Sequence, residues 1–343
     1  MALPEHVTAH LASRLHRLHH HAWHLVRDRW STLDTPRREG IRGIEAKWTP
    51  PRSSLVSTDG KRTVGPDIGN GSGEDFLFMH RQMIKTVNDM LDKQKQPRLS
   101  GWVNIPGPTA SGDDAVPPFW EMPVVDDNSR QLSVFLPVVK SSEFYYARML
   151  WWDRQFKDPT YLRQLTLGEL GSLIEWSVHN YMHIRWSSSP WSPYSQTVLS
   201  AQGRPDADIG PAWDDSRYDW LDDTYSSHVN PIFWKLHGWV DDRVTDWANA
   251  HRGEVSARKL GGVEWFEPGK WVQVAEPWIG GFAMDIGEHA MPVSDGSAGQ
   301  SAPDPRIVDM EKIIGIINAT DDPPALSPKT AKFTAKGLLS QLG

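Results

Sequence analysis

The 343-residue chain contains no cysteine. That absence removes disulfide frameworks, thiolate metal sites, iron–sulfur clusters and cysteine nucleophiles together, so any metal must be held by imidazoles and carboxylates. Long apolar runs are missing, and no membrane-spanning helix is expected. The opening MALPEHVTAHLASR lacks the apolar centre and small-residue cleavage site of a secretion signal, so the chain reads as soluble and, by default, cytoplasmic. No Lys/Arg block is present and the formal charge is −7 with both signs interspersed. Neither a nucleic acid nor a membrane is expected as partner.

What the chain does have is histidine, 14 residues, and tryptophan, 18 residues. Indoles in that number build a heavy core or line an aromatic pocket. The length suits one large domain or two small ones. Residues 5 to 30 read as one helix, because Leu11, Leu15, Leu18, Ala22 and Leu25 recur at three- and four-residue spacing. Residues 31 to 71, rich in Pro, Gly, Ser and charge, read as loop. Ser72-Gly73-Glu74-Asp75 is a helix-start signal for a helix to about Leu91. Residues 95 to 140 read as irregular, and Phe144 to Phe156 as helix. Thr166-Leu167-Gly168-Glu169 opens a helix reaching about Trp186, and Asn230-Pro231 opens one running to about Ala250. The last ninety or so residues, Gly/Pro-rich, predict irregular cover with a few strands and a loosely ordered end from about Asp321.

On these helices the histidines take positions suited to a metal. His80 shares an apolar stripe with Phe76, Leu77, Met83, Ile84, Val87 and Leu91, and His237 shares one with Phe233, Val240 and Val244. His179 and His183 are four apart and project from one helix face, as do His20 and His24. A buried histidine taken singly is more often a hydrogen-bonded core residue than a ligand, and the N-terminal pair, in a segment holding seven of the histidines, also reads as a solvated cluster. The Leu stripe of that helix lies roughly opposite His20 and His24, so a buried pair requires a helix buried on both faces. Two pairs and two singles nevertheless amount to three plus three imidazoles on four helices, a donor set suited to copper or zinc.

The same residues resemble a known family. His20-His21-Ala22-Trp23-His24-Leu25-Val26, followed by Gly73-Glu74-Asp75-Phe76-Leu77-Phe78-Met79-His80-Arg81-Gln82-Met83, resembles the copper A region of arthropod hemocyanins and prophenoloxidases. His179-Asn180-Tyr181-Met182-His183 resembles the first half of their copper B site, and Asp223-Thr224 with Asn230-Pro231-Ile232-Phe233-Trp234-Lys235-Leu236-His237 and Val240-Asp241 the second. Pro118-Phe119-Trp120-Glu121 looks like a stretch of tyrosinases. The resemblance covers roughly residues 15 to 30, 72 to 92 and 168 to 248. It implies a type-3 copper protein, with His20, His24 and His80 on one copper ion, His179, His183 and His237 on the other, and molecular oxygen as co-substrate, bound as a side-on dicopper peroxide.

The departures from that family are also informative. Arthropod members are about twice as long, with an N-terminal helical domain and a C-terminal β-sandwich for which this chain has no room. The tyrosinase copper A histidine nine residues before the His-Arg pair is absent, since position 71 is Gly, and no Cys is available for a thioether to a ligand histidine. What the resemblance implies is a mainly α protein, a four-helix copper bundle with long loops over residues 1–250 and an irregular, partly β cover or lid over 251–343. Its implied activity is oxidation of phenols, catechols or aminophenols, with a small aromatic as substrate; oxygen carriage without oxidase activity is the alternative, and a degenerate, metal-free binder a third. Asn180 matches the family's Asn that works with a nearby acid to hold a water for phenol deprotonation. Glu175, one turn before His179, is a candidate for that acid, and Asp214 and Asp215 are rivals. His228, His251 and His289 lie outside the six and read as surface or supporting residues. Trp265, Phe266, Trp271 and Trp278 of the tail, and Trp191 and Tyr194 of the loop after the third histidine helix, are the candidates for a movable plug over the metals.

Overall fold

A computed structural model describes residues 3–58, 64–119, 127–188, 209–281 and 304–319, and these are mainly helical. The expected first helix is two. Ser13 is extended and its hydroxyl accepts from His16 N–H, which ends α1 (Glu5–Leu11) and starts α2 (Arg14–Arg29). The segment expected as loop contains α3 (Thr35–Ile44), capped by Asp34 with Pro36 in its first turn, and the antiparallel pair β1 (Leu55–Ser57) and β2 (Val64–Pro66). α4 (Ser72–Lys93) begins as expected, although its cap is Gly71 at φ 81° and Asn70 accepts from Ser72 N–H. A helix not expected from sequence, α5 (Asp127–Lys140), follows.

The helical stretch expected over 144–156 is α6 (Ser142–Phe144), a π-helical turn and α7 (Leu150–Gln155), followed by the short α8 (Pro159–Leu162). The capping box of Thr166 and Glu169 is formed and opens α9 (Leu167–Ile174), which passes through a π-helical turn at Glu175–His179 into α10 (Asn180–Trp186). α11 (Pro231–Ala250) has Asn230 as its cap. β3 (Ala257–Leu260) and β4 (Val263–Phe266) form a hairpin whose two-residue turn, Gly261-Gly262, has both φ values positive. The chain's last described element is α12 (Pro305–Asn318), capped by Asp304. Trp120, Glu121, Trp191, Tyr194, His289 and the stretch from Asp321 lie outside the described residues.

α2 is buried on almost every side, from His16 to Arg27. The second cover comes from α12, which packs against α2 and α3 with Met310, Ile313, Ile314 and Ile317 buried, and whose Glu311 is bound by Arg14. That arrangement removes the objection raised by the opposed leucine and histidine faces. On the other side α4 packs against α9 and α11. The α4–α9 crossing is backbone against backbone: a Cβ on Gly73 would lie 2.1 Å from Gly168 O, and one on Gly171 would lie 2.1 Å from Gly73 O. Only glycine permits that approach. Among the described residues no helix is long and apolar enough to cross a membrane.

Because the neighbour at Gly73 is backbone, an added methyl cannot be accommodated by a rotamer change. Gly73→Ala is expected to cost about 3 kcal/mol or more of unfolding free energy. Gly43→Ala, on an exposed stretch of α3 with nothing within 4 Å, should be neutral or stabilise by up to about 1 kcal/mol. Thermal and denaturant melts of the two variants measure the contrast, and equal midpoints would overturn the account of the crossing.

Candidate metal centre

Four helical segments bring the six predicted histidines together. His20 and His24 come from α2, His80 from α4, His179 and His183 from the π turn and α10, and His237 from α11. The ligating nitrogens of His20, His24 and His80 lie within 4.8 Å of one another, and so do those of His80, His179 and His237. His80 and His237 stack with centroids 4.2 Å apart, so the two clusters adjoin. Phe76 and Phe233 pack on the rings, Phe233 at 3.8 Å from the His237 centroid.

The outer nitrogens settle the tautomers. His80 Nδ1 lies 2.8 Å from Phe76 O, His237 Nδ1 2.8 Å from Phe233 O, His183 Nδ1 2.6 Å from Leu221 O, and His20 Nδ1 2.5 Å from Thr224 O. A carbonyl only accepts, so each Nδ1 carries the proton and each Nε2 keeps its lone pair. For His179, Asn180 Oδ1 at 3.2 Å takes the same part. Two of these carbonyls belong to the ligand's own helix one turn earlier. The other two come from the 221–224 loop, which therefore orients His20 of the first cluster and His183, whose ring adjoins His179 of the second.

Lone pairs then converge. His179 Nε2 is 3.1 Å from both His183 Nε2 and His237 Nε2, with no proton to place between them. Nε2 of His20 and of His80 is buried without a hydrogen-bond partner among the described residues. Two imidazoles bound about 2.0 Å from one ion, about 100° apart, hold their nitrogens at about 3.1 Å. Burial, reinforced by neighbouring imidazoles, depresses His24, His80, His179 and His237 well below the ordinary imidazole range, and burial lowers His20 to about 3 and His183 to about 4. The set is neutral and ligand-ready at pH 7, and the histidine clusters can hold metal ions.

Beside the imidazoles lies a cavity of about 280 Å³, lined also by Trp176, Asn180, Ile184, Asp222, Thr224 and Phe233. Asn180, the residue expected to hold a water, is among the lining residues. Glu175 lines it too, but both its oxygens are engaged by Arg27. Asp215 is placed elsewhere, gripped by the Arg217 side chain, and Asp214 by Tyr225 and Arg14, so neither rival lines the cavity. Asp222 does line it, at an exposed position and with its carboxylate in no hydrogen bond among the described residues. Sequence reasoning passed it over for the acids a few residues earlier, although its adjacency to Asp223-Thr224 was a usable signal.

Of the aromatic residues expected as a plug, the four of the tail are not in the cavity wall, and Trp191 and Tyr194 lie outside the described residues. Trp265 packs on Phe78, Phe266 on Trp247, Trp271 on His251, and Trp278 stacks on Trp23 with centroids 6.0 Å apart. His251 is buried and bonded to Trp247 O, and His228 is buried beside His20. No family model matches the chain, and no curated protein matches it. The chemistry of the site thus rests on its own geometry.

The pH dependence of the chelator-treated protein follows from the imidazoles. Their folded-state values are depressed, so their contribution to stability is complete above the unfolded value near 6.5. It is lost as pH falls toward about 4 for His183 and about 3 for His20. Melting temperatures of the stripped protein should fall steeply between pH 6.5 and 4, and a flat profile over that range would contradict the neutral, buried assignment.

Proposed function

We propose that the chain is a type-3 dinuclear copper protein, a four-helix bundle of α2, α4, α9–α10 and α11 in which His20, His24 and His80 hold one copper ion and His179, His183 and His237 the other, and that it oxidises small phenols, catechols or aminophenols with molecular oxygen. One observation carries the reading: five of the six imidazoles have their protonated nitrogens directed outward, and the ligand atoms of the histidines converge on two adjoining points with His24 beside the first. The absence of any thiolate and the all-imidazole donor set favour copper. Bound copper supplies dioxygen binding and the two-electron oxidation of the aromatic substrate.

The chain's own residues do the rest. Leu221 and Thr224 carbonyls hold His183 and His20 in one tautomer and orientation. Phe76 and Phe233 keep water from the ring faces. The cavity is larger than the roughly 150 Å³ that suffices for benzene, so a single phenolic ring fits beside the imidazoles. Asp222, with a carboxylate in no hydrogen bond at the cavity wall, takes the phenol proton, and Asn180 positions the substrate or an intervening water. Glu175 is a positioning residue, committed to Arg27 and through it to the helices that carry the ligands.

Reconstituted protein should bind two copper ions per chain and show the near-ultraviolet charge-transfer band of an oxygenated type-3 site after reduction and exposure to oxygen. His20→Ala or His24→Ala should abolish the band and leave about one copper, whereas His19→Ala and His21→Ala should retain both. Copper-loaded protein should turn over catechols, and Asp222→Asn should slow monophenol hydroxylation at least tenfold while sparing catechol oxidation. A single tightly bound zinc, or no metal, overturns the dinuclear reading. A normal band with reversible oxygen release and no turnover would favour the carrier.

A further inference from the structure

The six-histidine set leaves His228 without a role, although it is fully buried and its ring adjoins a predicted ligand. It stands in the 3₁₀ turn Ser227–Val229, just before the Asn230 cap of α11 and packed against α1. Its neighbours assign its two nitrogens. Nε2 lies 3.1 Å from Leu11 O at the end of α1, and a carbonyl only accepts, so Nε2 carries the proton. Burial, with His16, His20 and Arg17 nearby, holds the ring well below the ordinary imidazole range, so it is neutral and Nδ1 keeps its lone pair. That nitrogen is 3.2 Å from Nδ1 of His20. His20 Nδ1 carries a proton, because Thr224 O lies 2.5 Å away. Donor therefore meets acceptor, and the His20 N–H is shared between Thr224 O and His228 Nδ1. The outer nitrogens of His80, His179, His183 and His237 meet carbonyl or amide oxygens instead.

We propose that His228 is a positioning residue for His20: as a second acceptor for the outer N–H it fixes the orientation of that imidazole and makes Nε2 a stronger donor to the ion held with His24 and His80. The inference rests on the type-3 copper reading. One carbonyl leaves a ring free to tilt about the N–H···O line. A second acceptor on a different part of the chain removes that freedom, and the two rings meet edge-on at 71° with centroids 4.8 Å apart. The second acceptor is itself held. Leu11 O takes its Nε2–H, the His16 ring lies 4.7 Å from it between centroids, and its own carbonyl accepts the Trp234 indole N–H at 3.0 Å. His20 is thereby referenced to α1 and to the start of α11 as well as to the 221–224 loop. A partner on the outer nitrogen of a ligating imidazole raises the basicity of the other nitrogen, and losing such a partner costs about 10–100-fold in metal affinity.

The test uses the full chain, stripped of metal and titrated anaerobically with Cu(I) against a coloured competing chelator. His228→Phe keeps a ring of similar size and removes the acceptor, whereas His228→Asn loses the ring but keeps an acceptor oxygen at the place of Nδ1. The Phe variant should bind one of its two copper equivalents about tenfold or more weakly and the other unchanged, and the Asn variant should stay within about threefold of wild type at both. A residue that only fills space gives the reverse order, because Asn leaves the larger void. That reverse order, or equal affinities in all three proteins, overturns the proposal and leaves the dinuclear site standing. If His228→Phe does not fold, nitrogen NMR of the stripped, histidine-labelled wild type decides. A protonated Nε2 and a bare Nδ1 on His228, beside a protonated Nδ1 on His20, are expected, and a protonated Nδ1 on His228 overturns the proposal. A wild-type chain that binds no copper overturns the type-3 reading itself, and the proposal with it.

Discussion

The geometry of the site depends on one buried ion pair, Arg27 with Glu175. Arg27 is fully buried on α2, gives one guanidinium nitrogen to Glu175 Oε1 and another to Oε2 at 2.7 Å, and donates to Ser72 O at the start of α4 at 2.8 Å. Its guanidinium also lies 4.7 Å over the Trp23 ring. One side chain therefore fixes three of the four segments that carry histidines. Burial opposes its charge, but the facing Glu175 outweighs that penalty and holds Arg27 above its ordinary value. Such a pair adds little net stability, yet losing one partner leaves a buried charge at a cost of about 3–5 kcal/mol, so its contribution is to register rather than to stability. His24 is one turn before Arg27, and His179 is one turn after Glu175 through the wider π turn, so α2 and the π turn are locked together immediately beside their ligands.

Around that pair the first turn of α4 is unusually loaded. Glu74 accepts from Gln273 N and Val274 N, and Asp75 accepts from Arg52 and from Trp278 N. The Ser-Gly-Glu-Asp signal is thus more than a helix start. The acids complement the helix dipole and also receive the backbone of the tail, which no dipole argument from sequence could have supplied. The same turn contributes Gly73 to the α4–α9 crossing. Positive charge from Arg27 and Arg52, backbone contact at Gly73 and the strap at 273–278 all meet within four residues, and His80 is carried on the helix that starts there.

What could be read from sequence is what local periodicity encodes. The α4, α9–α10 and α11 boundaries, the capping box at Thr166 and the faces of His80 and His237 all follow from patterns within one helix, and the structure forms them. α3 and α12 were legible only in their caps, Asp34 with Pro36 and Asp304 with Pro305, inside segments whose composition suggested loop. The burial of the N-terminal pair was not legible, because it requires α12, from the far end of the chain, to cover the leucine face of α2. The acid at the cavity was missed for a related reason. Glu175, Asp215 and Asp222 look equivalent along the chain, and only their partners separate them: Arg27 for the first, Arg217 for the second, and, among the described residues, no hydrogen-bonding group for the third.

The Trp-rich tail shows how the same residues can be correct as an observation and different in use. Trp278 stacks on Trp23, receives the Trp23 indole N–H at its carbonyl, and gives its own indole N–H to Lys47 O. Trp23 lies between His20 and His24 in sequence and touches the His24 and His80 rings from the side away from the cavity lining. The tail thus buttresses the ligands from behind. A plug would be expected to be exchangeable and to compete with substrate; a buttress pinned by two carboxylates and two indole hydrogen bonds sets the position of the imidazoles instead. In the proposed dinuclear centre, access is then governed by the 221–224 loop, whose carbonyls orient His183 and His20 and whose Asp222 lines the cavity. Under that proposal, orientation of two imidazoles and reception of the substrate reside in one short stretch of chain.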